Sequence, residues 1–193
     1  FSEISDIDLA LEGLAGPAEY FEALGIAMDE TSFPVDIIEI EKLDSVVRKH
    51  RDKLERIQAD LVAALENEIA TIGRTGRTAL IPAGLLENYY TCLETVMLRV
   101  SQHFENNLSA DRWHSELLKK MTLRIEGVRV ELFDEATYNR LLDLLKFRHF
   151  RRYYFETEYD WDRIDYLISL LNKAHPDVVA GMEHFLDFLE QLS

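Results

Sequence analysis

The sequence predicts a mainly α-helical protein: an antiparallel helical bundle over residues 43–193, preceded by a small partial α/β segment over residues 1–42. Three observations carry this reading. The hydrophobic period lengthens from two residues to between three and four near Lys42. Charge shifts at the same place, because residues 1–42 hold eleven acids and one base and so carry −10 of the net −15. Glycine and proline then divide the remainder into helix-length pieces.

Taken in order, Ile4 to Leu11 alternates, with Ile4, Asp6 and Asp8 against Ser5, Ile7 and Leu9, and reads as a strand. Gly13, Gly16 and Pro17 interrupt it, Ala18 to Met28 forms one short helix, and Val35 to Ile40 is a second β-rich run after Pro34. Two strands and a helix are too little to bury a core of their own. From Leu43 through Val47, Leu54, Leu61 and Ile69 to Ile72 the apolar steps predict one long amphipathic helix. Residues 73–84, with three glycines and Pro82, read as a loop. Leu86, Tyr89, Tyr90, Leu93, Met97 and Phe104 define the core side of a second helix. Ser109 is the expected cap of a third helix bearing Trp113, Leu117 and Met121, and Asp134 caps a fourth bearing Tyr138, Leu141 and Leu145. Asp160 or Asp162 starts a fifth, and His175-Pro176 is expected to separate it from a last helix.

Bulk properties narrow the functions. With 47% hydrophobic and 30% charged residues the chain suits a globular protein with a real core, and no apolar run has membrane-spanning length. Neither a membrane nor DNA is expected as a partner. The single cysteine, Cys92, and the lack of a signal-peptide pattern point to a cytoplasmic location. Phe1 in place of an initiator Met suggests either a fragment or only the ordered part of the protein. An acidic protein does not attract nucleic acid by overall charge, so binding RNA would require a local basic patch. Residues 146–152 supply one, with Lys146, Arg148, Arg151 and Arg152 and no acid.

Two constellations have chemical potential. Asp6 and Asp8 are two apart on a strand, so their carboxylates share a face, and Asp36 is the candidate third acid on the neighbouring strand. Such a set suits Mg2+ bridging the phosphates of ATP, although Asp-x-Asp on a solvated strand edge needs no function. The other constellation lies on the fourth helix. With Leu145 as the centre of its stripe, Arg152 falls about 20° away, His149 about 40° to one side and Arg148 about 60° to the other. Burying unpaired cations is costly, so this end is a cleft, an interface, or a network neutralised by Glu156, Glu158, Asp160 and Asp162.

Ser5-Asp6-Ile7-Asp8-Leu9-Ala10-Leu11-Glu12-Gly13, followed by Phe33-Pro34-Val35-Asp36-Ile37-Ile38, resembles the minimal nucleotidyltransferases of the DNA polymerase β superfamily. The resemblance implies Asp6, Asp8 and Asp36 as metal ligands. The family's Gly-Ser turn, which holds the nucleotide triphosphate, has no counterpart in these residues, so transfer by this segment alone is not expected. An alternative reading keeps it as a nucleotidyltransferase that moves AMP from ATP with Mg2+, the helical part serving as substrate-binding partner.

The ordered series Arg112-Trp113-His114-Ser115-Glu116, Glu126-Gly127-Val128-Arg129, Phe147-Arg148-His149-Phe150-Arg151-Arg152-Tyr153-Tyr154-Phe155-Glu156 and Glu158-Tyr159-Asp160-Trp161 resembles the HepT-like (HEPN) ribonuclease toxins. The two families typically occur as a toxin and antitoxin pair, so their juxtaposition here reads as a fusion. The resemblance implies a homodimer and metal-independent cleavage of RNA through an R-x-x-x-x-H-x-Y motif, with no cofactor. Arg148 fills the arginine position, Tyr153 the histidine position and Phe155 the tyrosine position. Tyrosine, with an ordinary pKa of about 10, is a poor base at neutral pH, so weakened or lost activity is expected. His149 is read as lying on a different helical face from Tyr153 and so as a poor replacement. The family's tyrosine accepts adenylate from the antitoxin; Phe155 has no hydroxyl, which leaves Tyr153 and Tyr154 as candidate modification sites.

The remaining histidines, His50, His103, His114, His175 and His184, lack metal-ligand spacing and suggest surface or capping roles. Gly73 to Gly76 with Arg74 and Arg77 reads as a mobile connection, and Cys92 as core packing. The aromatic residues from Tyr153 to Trp161 suit either base stacking or a dimer interface.

Overall fold

The computed structural model describes residues 7–11, 13–14, 17–31, 35–104, 113–154 and 156–192. Strands β1 (Ile7–Leu11) and β2 (Val35–Glu39) pair in parallel, with Ile7 opposite Val35, Asp8 opposite Asp36 and Leu11 opposite Glu39. A parallel pair needs a crossover, and α1 (Pro17–Glu30) provides it, with its proline at the first helical position where no backbone donor is lost. Of the strand expected over Ile4–Leu11, Ile7–Leu11 is present, and residues 1–6 lie outside the described residues.

Helix α2 (Ile40–Ala63) follows β2 directly and continues through a π-helical stretch, Ala64–Ile69, into the final turn α3 (Ala70–Ile72). The long helix read from the apolar steps is therefore present, with one wider turn in it. Gly73, at φ 95°, ends it in a conformation that disfavours a side chain. Helix α4 (Leu80–Phe104) starts earlier than the expected loop allowed. Pro82 falls in its first turn, where its missing N–H has no helical partner to lose.

Beyond residues 105–112, which contain Ser109 and are outside the described residues, come α5 (Trp113–Lys120), α6 (Glu135–Tyr154) and α7 (Trp161–Leu192). Helix α5 stops one residue short of Met121, which is buried in the turn that follows. Asp134 caps α6 as expected, its carboxylate accepting from the Thr137 N–H at 2.7 Å. Asp160 does the same for Asp162 at the start of α7, at 3.0 Å. The division expected at His175-Pro176 does not occur: α7 runs through Pro176. Leu171, Ala174, Val178 and Met182 are buried along this stretch, and their packing offsets the roughly 3 kcal/mol that an interior proline costs.

Helices α2, α4, α6 and α7 pack on one another around a single apolar core, and α5 lies against α4 and α6. Two close approaches fix the chain between α5 and α6. Gly181 on α7 admits the Leu132 carbonyl, which would lie 1.9 Å from an added Cβ. Arg129, almost fully buried, donates to the carbonyls of Lys120 at 2.8 Å and Leu123 at 2.8 Å, closing the end of α5.

The Gly73–Arg77 stretch is held in place, which corrects its reading as a mobile connection. Arg74 pairs with Asp165 and lies over the Trp161 ring at 4.1 Å; the Trp161 indole donates to the Thr75 carbonyl at 2.8 Å, and the Tyr159 N–H to Gly76 at 2.9 Å. Among the described residues no helix is long and apolar enough to cross a membrane.

Candidate functional site

The apolar stripe of α6 brings Arg148 into the core, where its side chain is only 7% exposed. It is stabilised there by Glu94, also 7% exposed, on the core face of α4: Arg148 Nη2 donates to Glu94 Oε2 at 2.7 Å. The other oxygen of the same carboxylate accepts from Nδ1 of His114, on α5, at 2.5 Å. One buried acid thus holds two basic side chains from two helices, and because a carboxylate only accepts, it places the His114 proton on Nδ1.

His149 completes the cluster. Its ring meets that of His114 edge to face at 4.8 Å and stacks on Tyr153 at 6.4 Å with the planes 5° apart. Residues four apart on a helix share a face, so His149 is beside Tyr153 and the expectation of different faces is corrected. Burial, with His114 and Arg148 close by, holds the His149 pKa below the ordinary histidine value and favours the neutral ring near pH 7. Beneath them, burial pushes the Tyr90 hydroxyl far above its ordinary pKa, with Glu94 adding to the shift. Among the described residues, Tyr90 Oη and Arg148 Nη1 are both buried without a hydrogen-bond partner. A buried polar cluster left partly unsatisfied is costly to keep and is the pattern found at functional sites.

The other cations of the basic patch diverge. Lys146 is exposed and bound to Asp143 at 2.9 Å. Arg151 is partly buried, bound to Glu87 on α4 at 2.6 Å, and lies 5.8 Å over the Tyr159 ring. Arg152 is exposed and makes no ion pair among the described residues. The network reading is therefore correct in kind, but the neutralising acids are Glu94, Glu87 and Asp143 rather than Glu156, Glu158, Asp160 and Asp162. Helix packing decides this, because α4 lies against α6 whereas the later acids follow the end of that helix.

Tyr153 and Tyr154 are exposed, at 65% and 67%, and Phe155 is outside the described residues. Tyr159 is buried against Phe147 at 5.8 Å and Phe150 at 6.5 Å, so this member of the aromatic stretch serves the chain's own packing. His114 and His175 are corrected from surface or capping roles. The first sits on Glu94; the second is half-buried, its Nδ1 2.9 Å from the Tyr89 hydroxyl. Asp6 lies outside the described residues, and Asp8 and Asp36 are partners in the backbone register of the parallel pair. Among the described residues no group of three or more His, Cys, Asp or Glu is placed to hold a metal.

Glu94 is the residue that sequence reading missed. It shares the helical face of Tyr90 and Met97, and an acid within an apolar stripe is a signal of a buried partner.

The fold and site define a class: a helical bundle with a buried arginine, carboxylate and imidazole cluster between three of its helices. The model of the HepT-like protein family matches residues 82–189, more than half of the chain and all of this cluster, and the chain belongs to that family. No curated protein and no solved structure matches it.

Proposed function

We propose that this chain is a toxin–antitoxin-type protein whose HepT-like part is a metal-independent endoribonuclease of the HEPN type, with activity weakened by Tyr153 at the histidine position. The observation that carries this reading is Arg148, seated on Glu94 with two imidazoles alongside. Arginine can neutralise charge developing on a scissile phosphate, and neutral imidazole can exchange protons near pH 7. The protein works in the cytoplasm as a homodimer. RNA is drawn to the exposed end of α6, where Arg152 and Tyr153 face solvent. Residues 1–42 are the remnant of a nucleotidyltransferase antitoxin, and Tyr153 and Tyr154 are its accessible acceptor hydroxyls. Cleavage of an end-labelled RNA in EDTA tests the reading: turnover by the wild type and none by Arg148→Ala supports it, and no turnover by the wild type contradicts it.

A second reading, nucleotide transfer from ATP with Mg2+, is favoured by the backbone register that pairs Asp8 with Asp36 across the two parallel strands. It predicts magnesium-dependent ATP binding that Asp8→Ala abolishes.

A further inference from the structure

Helices α2 and α4 border an open groove of about 350 Å3 that the ribonuclease reading does not use. His50, Lys53 and Arg56 of α2 form one wall, and Asn88 and Thr91 of α4 form the other, with the half-buried Cys92 beside them. It opens on a face of α4 roughly a third of a turn from Tyr90 and Glu94, counted at ~100° per residue. We propose that this groove binds a small phosphate monoester, held by the Lys53 and Arg56 cations and by the side-chain donors of Asn88 and Thr91.

Charge is the first argument. The chain carries a net charge of −15, yet among the described residues no aspartate or glutamate lines the groove. Positions 53 and 56 are three apart, as are 88 and 91, so each pair shares a face of its helix. Elsewhere on α2, Arg48 and Arg51 reach across to α7 and bind Glu190 and Glu183. Lys53 and Arg56 make no ion pair or hydrogen bond among the described residues, and the side chains of Asn88 and Thr91 make no hydrogen bond there either. Burial pushes the Cys92 thiol above its ordinary pKa and the Lys53 ammonium pulls it back, which sets that charge close to the thiol within the groove.

The donor set is the second argument. A guanidinium fork and an ammonium point charge are a usual pairing on phosphate, and two further donors help to cover the terminal oxygens of a monoester. His50 supplies the opposite polarity. Its Nδ1 donates to the Val46 carbonyl at 2.8 Å, so the neutral ring keeps Nε2 as an acceptor for a hydroxyl of the ester. The volume is at the small end of the range for small-molecule sites, which suits a phosphate with a sugar-sized group. A nucleic-acid backbone is instead held by a run of cations along the strand, and these walls carry two. The proposal is independent of the ribonuclease reading, because no part of it passes through Arg148.

The test titrates the full chain in EDTA with inorganic phosphate, with ribose 5-phosphate, and with a short 2′-O-methyl RNA lacking terminal phosphates. Calorimetry reads binding. Alkylation of Cys92, the single cysteine, reads its place, because a ligand in the groove slows the reaction. Phosphate and ribose 5-phosphate should bind saturably and protect Cys92, and the RNA should do neither. Lys53→Gln and Arg56→Gln should each weaken ribose 5-phosphate on the order of 10-fold, the loss of about one charge-assisted hydrogen bond. Lys53→Arg should retain binding, whereas Thr91→Glu, which leaves both cations in place, should abolish it. Lys173→Gln, at an exposed position on α7, should change nothing. Lys53, Arg56 and Thr91 are exposed, so these variants keep the core intact, which circular dichroism checks. No saturable binding of either phosphate probe overturns the proposal. So does binding that is unchanged in both glutamine variants or that leaves Cys92 unprotected. RNA binding that these variants weaken, without binding of ribose 5-phosphate, assigns the groove to a nucleic-acid backbone and also overturns it.

Discussion

Glu94, 5% exposed on the core face of α4, holds Arg148 and His114 together, and its removal strands a buried guanidinium. Taking one partner from a buried ion pair typically costs 3–5 kcal/mol, more than the pair contributes relative to an apolar replacement. Glu94→Gln, which keeps one accepting oxygen, should therefore lower stability by about 3 kcal/mol in urea denaturation; a change under about 0.5 kcal/mol, the size of an ordinary surface substitution, would contradict the buried pairing. The histidines give a second prediction at this scale. Burial lowers the pKa of His149 and of His175, so the unfolded chain binds protons that the folded chain resists. Their contribution is present above the unfolded histidine value of about 6.5 and is lost as pH falls from there through the lower folded values. Stability should decline as pH falls below about 6.5, before most carboxylates titrate, and His175→Gln should flatten part of that decline. A decline unchanged in that variant would show that His175 is not charge-resistant in the fold.

Among elements, the packing of α7 against the chain between α5 and α6 is the most exacting contact. Gly181→Ala would place a methyl group 1.9 Å from the Leu132 carbonyl, and both are backbone-fixed, so one must move. The expected cost is about 2–3 kcal/mol of stability, measured by thermal or urea unfolding. A neutral substitution would mean that this segment is not seated on α7. Helices were legible where apolar spacing and caps agreed, as for Asp134 and α6. The breaker signals at Pro82 and His175-Pro176 misled for one reason. A proline ends a helix only when nothing else holds it: Pro82 costs little in a first turn, and Pro176 is clamped by buried neighbours on both sides. Neither condition is a property of the local sequence.

At the scale of the whole molecule, an acidic N-terminal βαβ unit precedes a helical bundle that carries the cation cluster. Arg148 and His149 were legible from the α6 stripe because period alone places them near the core. Glu94 and His114 were not, since their meeting with α6 depends on how α4, α5 and α6 pack, and no spacing along the chain encodes it. The patch of four cations looked like an RNA-binding surface in the sequence, yet Lys146, Arg148 and Arg151 are neutralised within the fold. Affinity for RNA should accordingly be modest and depend on few phosphate contacts, with a shallow dependence on salt.

The central claim, a weakened ribonuclease site around Arg148, is tested most directly by restoring the motif. Cleavage of one labelled RNA in EDTA would be compared for the wild type, Arg148→Ala and Tyr153→His. The account predicts slow cleavage by the wild type, none by Arg148→Ala, and on the order of 10- to 100-fold faster cleavage by Tyr153→His, which puts an imidazole back at the motif position. No cleavage by either the wild type or Tyr153→His would contradict it.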